Sequence, residues 1–238
     1  MGDIERDDRV SRHEFHSSAL DAVAGIVDGA TVLVSGFGLA GMPTTLIDAL
    51  IDQSARDLTV VSNNAGNGNT GLAALLAAGR VAKVVCSFPR QSDSHVFDEL
   101  YRAGAVQLEL VPQGNLAERI RAAGAGIGAF FCPVGAGTPL AAGKEVRTIA
   151  GRDHVLEHPI RGDVALIGAH IADRAGNLLY RKTARNFGPV MATAAALTIV
   201  EVSRIVDAGG IDPEAVVTPG IFVDRVLDLS AVRQDVAS

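Results

Sequence analysis

Several features that would place this 238-residue chain in other protein classes are absent from its sequence. It has no block of basic residues and a formal net charge of −6, so nucleic acid is not an expected partner. No apolar run reaches the roughly 18 residues that a membrane-spanning helix needs. Residues 1–15 are charged and polar and lack the apolar stretch of a signal peptide, which predicts a cytoplasmic protein without a membrane partner.

Cysteine is scarce as well. Cys86 and Cys132 lie far apart and match no metal-ligand spacing, and neither do the six histidines, so no metal site is expected. Two cysteines in a chain of this size favour a reducing compartment. Cys86 ends the apolar run Val84–Cys86, which is typical of a buried and unreactive thiol.

Short apolar strands alternate with amphipathic helices along the first half of the chain. In this half, strands are predicted at Thr31–Ser35, Leu58–Val61, Val81–Ser87 and Val106–Val111, and helices at Ser18–Asp28, Thr44–Gln53, Thr70–Ala78, Ser92–Ala103 and Asn115–Ala123. Two further strands are predicted in the second half, at Val164–His170 and Leu197–Val202. This alternation predicts an α/β fold with a mostly parallel sheet and helices on both faces. No linker or repeat interrupts it, so residues 16–230 are predicted to form one domain after a polar tail at 1–15.

A glycine-rich loop follows the first of these strands. The stretch VLVSGFGLAG, residues 32–41, matches the glycine pattern of dinucleotide-binding proteins. That pattern also needs an acidic residue after the second strand, but this strand ends in Ser62–Asn64, and Asp57 precedes it. The glycines therefore predict either a simple turn or a loop that contacts another phosphate-bearing ligand, with the helix N-terminus after Pro43 available to an anion.

The carboxyl ends of the predicted strands carry small, polar or glycine-rich segments. These are Ser35–Gly38, Ser62–Gly66, Ser87–Arg90 and Pro112–Asn115. Because ligands of parallel sheets bind at the carboxyl ends of strands, we expect the four segments to surround one site. Asn115, with Glu118 three residues later, has the pattern of a helix N-cap, which would leave Gln113 outside the helix.

These segments together resemble the family I CoA-transferases, and within them the alpha subunits of 3-oxoacid CoA-transferases. The resemblance is carried by DGATVLVSGFGLAGMP (28–43), SNNAGNGNTGLAALL (62–76), PQGNLAERIRAAGAGIGAFFCPVGAGT (112–138), GDVAL (162–166), AGNLLYRKTARNF (175–187) and TPGIFVDRV (218–226). Ser35 departs from the family pattern, which has glycine there. The resemblance implies the three-layer α/β fold of CoA-transferases.

The resemblance also implies a set of site residues. One loop is expected to bind CoA, and it consists of Ser35, Gly36, Phe37, Gly38, Leu39, Ala40 and Gly41. CoA contains a pyrophosphate, which explains why half of the dinucleotide pattern is present. CoA esters are then substrates, and no permanently bound cofactor is expected. Gln113 is implied as a hydrogen-bond donor to the oxyanion of the thioester carbonyl, and Asn63 as a positioning residue.

The family reaction uses a nucleophile that this sequence lacks. In the family a glutamate carboxylate attacks the acyl-CoA carbonyl and releases CoA thiolate, which returns to form a glutamyl-CoA thioester that the second carboxylate attacks. That glutamate stands in a Ser-Glu-Asn-Gly motif of the beta subunit. None of the following stands in such a motif: Glu99, Glu109, Glu118, Glu145, Glu157 and Glu201. The resemblance therefore implies a beta-subunit partner that carries the motif, in an α2β2 assembly.

The acceptor substrate is expected to be 3-oxoadipate. The segment CSFPRQSDSHVFDELYRAG, residues 86–104, is similar to that of family members acting on 3-oxoadipate, whereas acetoacetate-using members carry Gly-Glu-Asn there. The second carboxylate of 3-oxoadipate needs a cation or several N–H donors, and Arg90 and Gln91 stand at a strand end. The alternative is that Arg90 only pairs with Asp93 or Asp98.

Two other functional classes are also open. A nicotinamide-dependent dehydrogenase would share the glycine pattern, but it would also need the acidic residue that this sequence lacks. A non-catalytic effector-binding module could use a related α/β scaffold, although no DNA-binding helix pair is visible and the charge is negative.

Overall fold

A parallel sheet runs through the centre of the computed structural model, which describes residues 13–235 and side chains as far as residue 232. The strands are β1 Glu14–His16, β2 Thr31–Val34, β3 Leu58–Val61, β4 Val81–Cys86, β5 Gln107–Leu110, β6 Phe130–Cys132, β7 Val146–Ile149, β8 Arg152–Glu157, β9 Gly162–Gly168, β10 Ile171–Asp173, β11 Leu178–Leu179, β12 Ala195–Val202, β13 Arg204–Val206 and β14 Arg225–Asp228. The α-helices are α1 Ala19–Ala22, α2 Thr44–Gln53, α3 Leu72–Ala77, α4 His95–Arg102, α5 Gln113–Gly124, α6 Gly188–Ala192 and α7 Leu229–Asp235. Short 3₁₀-helices lie at Pro139–Ala141, Lys182–Arg185, Pro213–Ala215 and Gly220–Phe222.

The central sheet has eight strands in the order β1-β14-β12-β9-β2-β3-β4-β5, and every neighbouring pair is parallel. Two three-stranded sheets, β11-β10-β13 and β6-β8-β7, lie outside it. The predicted mostly parallel α/β sheet is confirmed. Because all eight strands run the same way, their carboxyl ends meet at one edge, where the predicted rim segments begin.

Alternate residues of each strand point to opposite faces, and each face carries its own apolar cluster. Val32 and Val34 pack in the cluster that contains buried residues of α1, α2, α3 and α4. Leu33 packs in the other cluster, with buried residues of α5 and α6. Helices on both faces give the three layers that were predicted. Cys86 is fully buried on the first face, as expected, and burial raises the pKa of its thiol to about 12, which disfavours the reactive thiolate.

The predicted bounds of α2 and β3 agree with the structure, and α3 and α4 are each shorter than predicted. The other two predicted helices differ in ways that affect the interpretation. The helix predicted at Ser18–Asp28 is only the single turn α1. Its supposed apolar face is not buried against the core, because Leu20 and Val27 are 49% and 66% exposed. The assignment of Asn115 as an N-cap is wrong, because α5 begins at Gln113 after Pro112. Gln113 therefore lies in the first turn of α5 rather than outside it.

Several strands of the second half were not predicted from the sequence. β14 joins the central sheet between β12 and β1, and the small sheets contain further short strands. Glu14 and Phe15, which the sequence analysis assigned to the polar tail, lie in β1 and pair with Arg225 and Val226 of β14. Residues 1–12 of that tail lie outside the described residues. Within residues 13–235 no helix has the length and apolarity to cross a bilayer.

Candidate functional site

A cavity of about 630 Å³ opens at the carboxyl ends of β2, β3, β4 and β5. It is lined by Phe37, Asn63, Ser87, Phe88, Arg90, Gln91, Ser92 and Gln113. Each of the four predicted rim segments contributes to this list, so the structure brings them together around one cavity. Two exposed aromatic rings, Phe37 and Phe88, give it apolar walls.

A pair of amides lies in the wall of this cavity. Asn63 Nδ2 donates to Gln113 Oε1 across 3.2 Å and to Ser87 Oγ across 3.1 Å. The first bond occupies the oxygen end of the Gln113 amide, and within residues 13–232 no group accepts a hydrogen bond from Gln113 Nε2. Gln113 is exposed, whereas Asn63 is 2% exposed. The buried amide thus orients the exposed one, whose N–H donors remain available to a ligand.

The chain around Asn63 is held firmly. Its carbonyl oxygen accepts from the backbone N–H of Ser87 and of Phe88 and from Ser87 Oγ. These bonds tie the end of β3 to the end of β4. The next residue, Asn64, is buried and its Oδ1 accepts from Gly66 N at 2.8 Å, which is an Asx turn. Asn64 therefore shapes the turn, and Asn63 faces the cavity.

Arg90 lines the cavity and also forms an ion pair. Its Nε lies 2.7 Å from Asp98 Oδ1 of α4, so the pairing considered from the sequence is present. The Arg90 side chain is still 56% exposed. A guanidinium has five N–H donors, and this pair uses only the Nε end. Gln91, the other candidate for a carboxylate, also lines the cavity, and its backbone N–H donates to Ser94 Oγ.

The first residue of the predicted CoA loop serves the loop itself. Ser35 is completely buried, and its hydroxyl donates to Gly41 O at 2.7 Å and accepts from Gly168 N at 3.0 Å. Both bonds are internal, so Ser35 closes the loop and joins it to the end of β9. Its departure from the family glycine thus has a structural role.

The rest of the loop is a tight hairpin whose backbone is mostly bonded. The N–H groups of Phe37 and Ala40 bond to each other's carbonyl oxygens. Gly36 N donates to Asn186 Oδ1 at 3.1 Å, and Asn186 Nδ2 donates to Ala40 O at 2.8 Å. Asn186 therefore clamps the loop from a distant segment. The sequence does not reveal this role, since the segment that contains Asn186 is noted there only for its resemblance to the family.

The outer part of this loop is open to a ligand. Phe37 and Leu39 are 51% and 68% exposed, and Gly38, with φ +61, has open space where a Cβ would stand. Gly41 differs, because a Cβ there would collide with the carbonyl oxygen of Ala184. The loop thus presents two apolar side chains beside the cavity and packs its base against the residues that follow Arg181.

The helix N-terminus after the glycine loop is already occupied by an acidic side chain. Glu201 of β12, 7% exposed, accepts a hydrogen bond from Leu46 N at 3.0 Å, and the neighbouring backbone N–H groups of Thr44 and Thr45 also favour its charged form. Burial dominates these bonds and raises the pKa of Glu201 to about 7. The expectation that this N-terminus is available to a ligand anion is therefore wrong. From the sequence, Glu201 was considered only as a nucleophile.

The geometry can be compared with known proteins. The family model described as Coenzyme A transferase matches residues 16–229. The chain is a member of this family. The glycine loop, the amide pair and the cavity all lie within the part of the chain that the family model matches.

Two bacterial relatives share most of their length with the chain. Both are named as the A-type subunit of a 3-oxoadipate CoA-transferase. The one from Pseudomonas putida is 66% identical over 90% of this chain and 93% of its own. The one from Acinetobacter baylyi is 58% identical over 91% of this chain and 95% of its own.

A solved structure supports the fold. The glutaconate coenzyme A-transferase of Acidaminococcus fermentans superposes with a TM-score of 0.80, covers 92% of this chain and 77% of its own, and is 21% identical. The three-layer CoA-transferase fold implied by the sequence is confirmed.

Proposed function

We propose that this chain is the alpha subunit of a heteromeric, cytoplasmic 3-oxoadipate CoA-transferase. The enzyme moves CoA from succinyl-CoA to 3-oxoadipate and gives 3-oxoadipyl-CoA and succinate in the degradation of aromatic compounds. The observation that carries the proposal is a single cavity containing an oriented amide donor, Gln113, and a partly exposed guanidinium, Arg90. The names of the two bacterial relatives support the choice of acceptor.

Gln113 is proposed to stabilise the oxyanion that forms at the thioester carbonyl. Each attack on an acyl carbonyl puts negative charge on its oxygen, and a donor that is already aimed at that oxygen lowers the barrier. Asn63 occupies Gln113 Oε1 and so turns the Nε2 end of the amide away from itself. Gln113 is therefore the catalytic donor, and Asn63 is its positioning residue.

Arg90 and Gln91 are proposed to bind the distal carboxylate of the acceptor. 3-Oxoadipate and succinyl-CoA both end in a carboxylate, so one guanidinium can serve the two substrates in turn. Arg90 is suited to this because its fork can bind a carboxylate through two N–H groups while Nε stays on Asp98. Acetoacetate has no distal carboxylate and gains nothing from this contact.

The glycine loop is proposed to bind the CoA portion of the ester. Phe37 and Leu39 offer exposed apolar surface, and Gly38 leaves room beside them. Ser35 and Gly36 belong to the loop but are buried, so they support it rather than touch CoA. No permanently bound cofactor takes part, because the CoA esters are the substrates.

The nucleophilic glutamate is proposed to come from a beta subunit that carries a Ser-Glu-Asn-Gly motif, in an α2β2 assembly. Its carboxylate attacks the succinyl-CoA carbonyl, which yields a mixed anhydride and CoA thiolate. The thiolate attacks the glutamyl carbonyl of the anhydride, releases succinate and leaves a glutamyl-CoA thioester. The same two steps then run in reverse with 3-oxoadipate. Its carboxylate attacks the glutamyl-CoA thioester and releases CoA thiolate, and the thiolate attacks the 3-oxoadipyl carbonyl of the new anhydride, which gives 3-oxoadipyl-CoA and frees the glutamate.

The test compares the chain alone with the chain purified together with its beta partner. Succinyl-CoA and 3-oxoadipate are supplied, and 3-oxoadipyl-CoA formation is followed. We expect turnover only from the pair. Turnover by the chain alone at the rate of the pair would contradict the division of labour, and no transfer by the pair would contradict the function.

A variant of the glycine loop tests where CoA binds. Gly38→Val adds a branched side chain at a position with positive φ, so it should both strain and crowd the loop. We expect a higher KM for succinyl-CoA and an unchanged KM for 3-oxoadipate. An unchanged KM for succinyl-CoA would place CoA elsewhere.

A further inference from the structure

Three cations lie close together behind the glycine loop, outside the cavity that contains Gln113. Arg181, Lys182 and Arg185 are all exposed and belong to or flank one 3₁₀-helix, Lys182–Arg185. Within residues 13–232, none of the three forms an ion pair with a carboxylate. We call residues 181–185 the cationic segment.

The cationic segment is rigidly joined to the glycine loop. Asn186, the residue that follows it, hydrogen-bonds to Gly36 N and Ala40 O of the loop. On the other side, Gly41 lies so close to the carbonyl oxygen of Ala184 that no Cβ would fit between them. The Asn186 side chain and this close packing therefore fix the backbone of the cationic segment relative to the loop, without any ligand.

A second cavity lies between the outer part of the loop and this segment. Its volume is about 520 Å³, and Phe37, Ala40, Thr183, Arg185 and Asn186 line it. Phe37 also lines the cavity that contains Gln113, so the two cavities share this ring as a common wall. A ligand that passes over Phe37 would have one end at the amide pair and the other end at Arg185.

A CoA ester has this arrangement of chemical groups. Its thioester lies at one end and a 3′-phosphorylated ADP at the other, so negative charge is concentrated far from the reacting carbonyl. The glycine loop has no charged side chain to hold these phosphates, and three of its N–H groups are already used, Phe37 and Ala40 within the loop and Gly36 with Asn186. Glu201 excludes phosphate from the N-terminus of α2. Another source of positive charge is required.

We infer that Lys182 and Arg185 bind the phosphates of the CoA nucleotide, with the pantetheine arm lying over Phe37. This rests on the proposed function and adds the site for the nucleotide end of the substrate. Guanidinium and ammonium groups are the side chains that hold phosphate, the first through paired N–H donors and the second as a point charge. Arg185 lines the second cavity, and Lys182 is exposed at the other end of the same 3₁₀-helix. Arg181 is not part of this pair because it lines a separate cavity together with Glu201.

The test uses the chain purified with its beta partner and the double variant Lys182→Gln/Arg185→Gln. Losing charged hydrogen bonds to phosphate should raise the KM for succinyl-CoA about tenfold or more, with little change in kcat. The KM for 3-oxoadipate should not change. With succinyl-pantetheine, which has no phosphates, the variant and the wild type should perform equally. Arg56→Gln is the matched control, since Arg56 is exposed at the amino end of β3, on the opposite edge of the sheet.

Each outcome decides the proposal. A KM for succinyl-CoA that is unchanged in the variant, or one that rises equally with succinyl-pantetheine, would overturn the phosphate site and leave the transferase function standing. Loss of the beta partner during purification of the variant, with a normal KM in what remains assembled, would overturn it too and assign the cations to the interface between the subunits. Absence of transfer in the wild-type pair would instead reject the proposed function itself.

Discussion

Asn63 Nδ2 and Gln113 Oε1 are joined by a hydrogen bond of 3.2 Å that links the end of β3 to the first turn of α5. β4 lies between β3 and β5 in the sheet, so the bond reaches across the end of a whole strand. It fixes which end of the Gln113 amide faces the cavity. A donor whose direction is set before substrate arrives needs no reorganisation during the reaction, which is the basis of oxyanion stabilisation.

Replacing the donor should slow the reaction without disturbing assembly. Gln113→Ala, assayed with the beta partner, is expected to lose about 10²–10³ in kcat, the usual effect of removing one oxyanion donor. Gln107→Ala changes an exposed glutamine at the amino end of β5 and should leave kcat unaltered. Near-normal kcat in Gln113→Ala would make Gln113 a structural residue only.

Replacing the positioning residue should have a related effect. Asn63→Asp removes the donor to Gln113 Oε1 and supplies an acceptor, which would draw Gln113 Nε2 towards residue 63 and away from substrate. We expect kcat to fall, and the double variant Asn63→Asp/Gln113→Ala to be no slower than Gln113→Ala. If the two effects multiply, the residues act independently and the positioning role is excluded.

The sequence predicted the part of the fold and site that depends on local pattern. From β2 to α5 each strand and helix has its own periodicity, and each strand end carries a recognisable polar segment, so Phe37, Asn63, Arg90 and Gln113 could be placed at one rim. Roles set by distant contacts could not be found in this way. Asn186, for example, clamps a loop 150 residues earlier in the chain.

The difference between local pattern and distant contacts also explains two wrong predictions, that Asn115 is an N-cap and that the N-terminus of α2 is available to an anion. Asn115 and Glu118 have the spacing of a capping box, but Asn115 Nδ2 instead donates to Glu157 and to the carbonyl of Val134. Glu201 looks like any acid at the end of a strand until the fold places it against α2. Both side chains are buried by elements that are remote in sequence, and no local pattern records that burial.

Ser35 should contribute to stability rather than to substrate binding. Ser35→Ala leaves Gly41 O and Gly168 N without their partner in a buried place, which should lower the free energy of unfolding by about 1–3 kcal/mol. Denaturant unfolding measures this change. Ser203→Ala, at an exposed serine, should stay within about 0.5 kcal/mol of wild type. A Ser35→Ala protein as stable as that control would show that the two bonds contribute nothing.

Glu201 should make stability fall as pH rises. Its pKa is raised from 4.5 to about 7 in the folded chain, so the folded state binds more protons than the unfolded state between these values. The free energy of unfolding is therefore highest below pH 4.5, where Glu201 is protonated in both states, and it declines as the pH rises through about 7. The decline should be on the order of 3 kcal/mol.

Glu201→Gln isolates this effect. The glutamine amide oxygen can still accept from Leu46 N but does not ionise. We expect the stability difference between the variant and the wild type to shift in favour of the variant from pH ~5 to pH ~8. A difference that is constant over this range would mean that Glu201 keeps an ordinary pKa.

The preference between two acceptors decides whether the enzyme is a 3-oxoadipate transferase. The measurement is kcat/KM for 3-oxoadipate and for acetoacetate with the subunit pair, in wild type and in Arg90→Ala. We expect wild type to prefer 3-oxoadipate, and Arg90→Ala to lose about 2–4 kcal/mol of transition-state binding for 3-oxoadipate while acetoacetate changes little. Asp98→Asn, which removes the carboxylate partner of Arg90 but keeps the guanidinium, should retain the preference. A wild-type pair that uses acetoacetate better than 3-oxoadipate would contradict the proposed function.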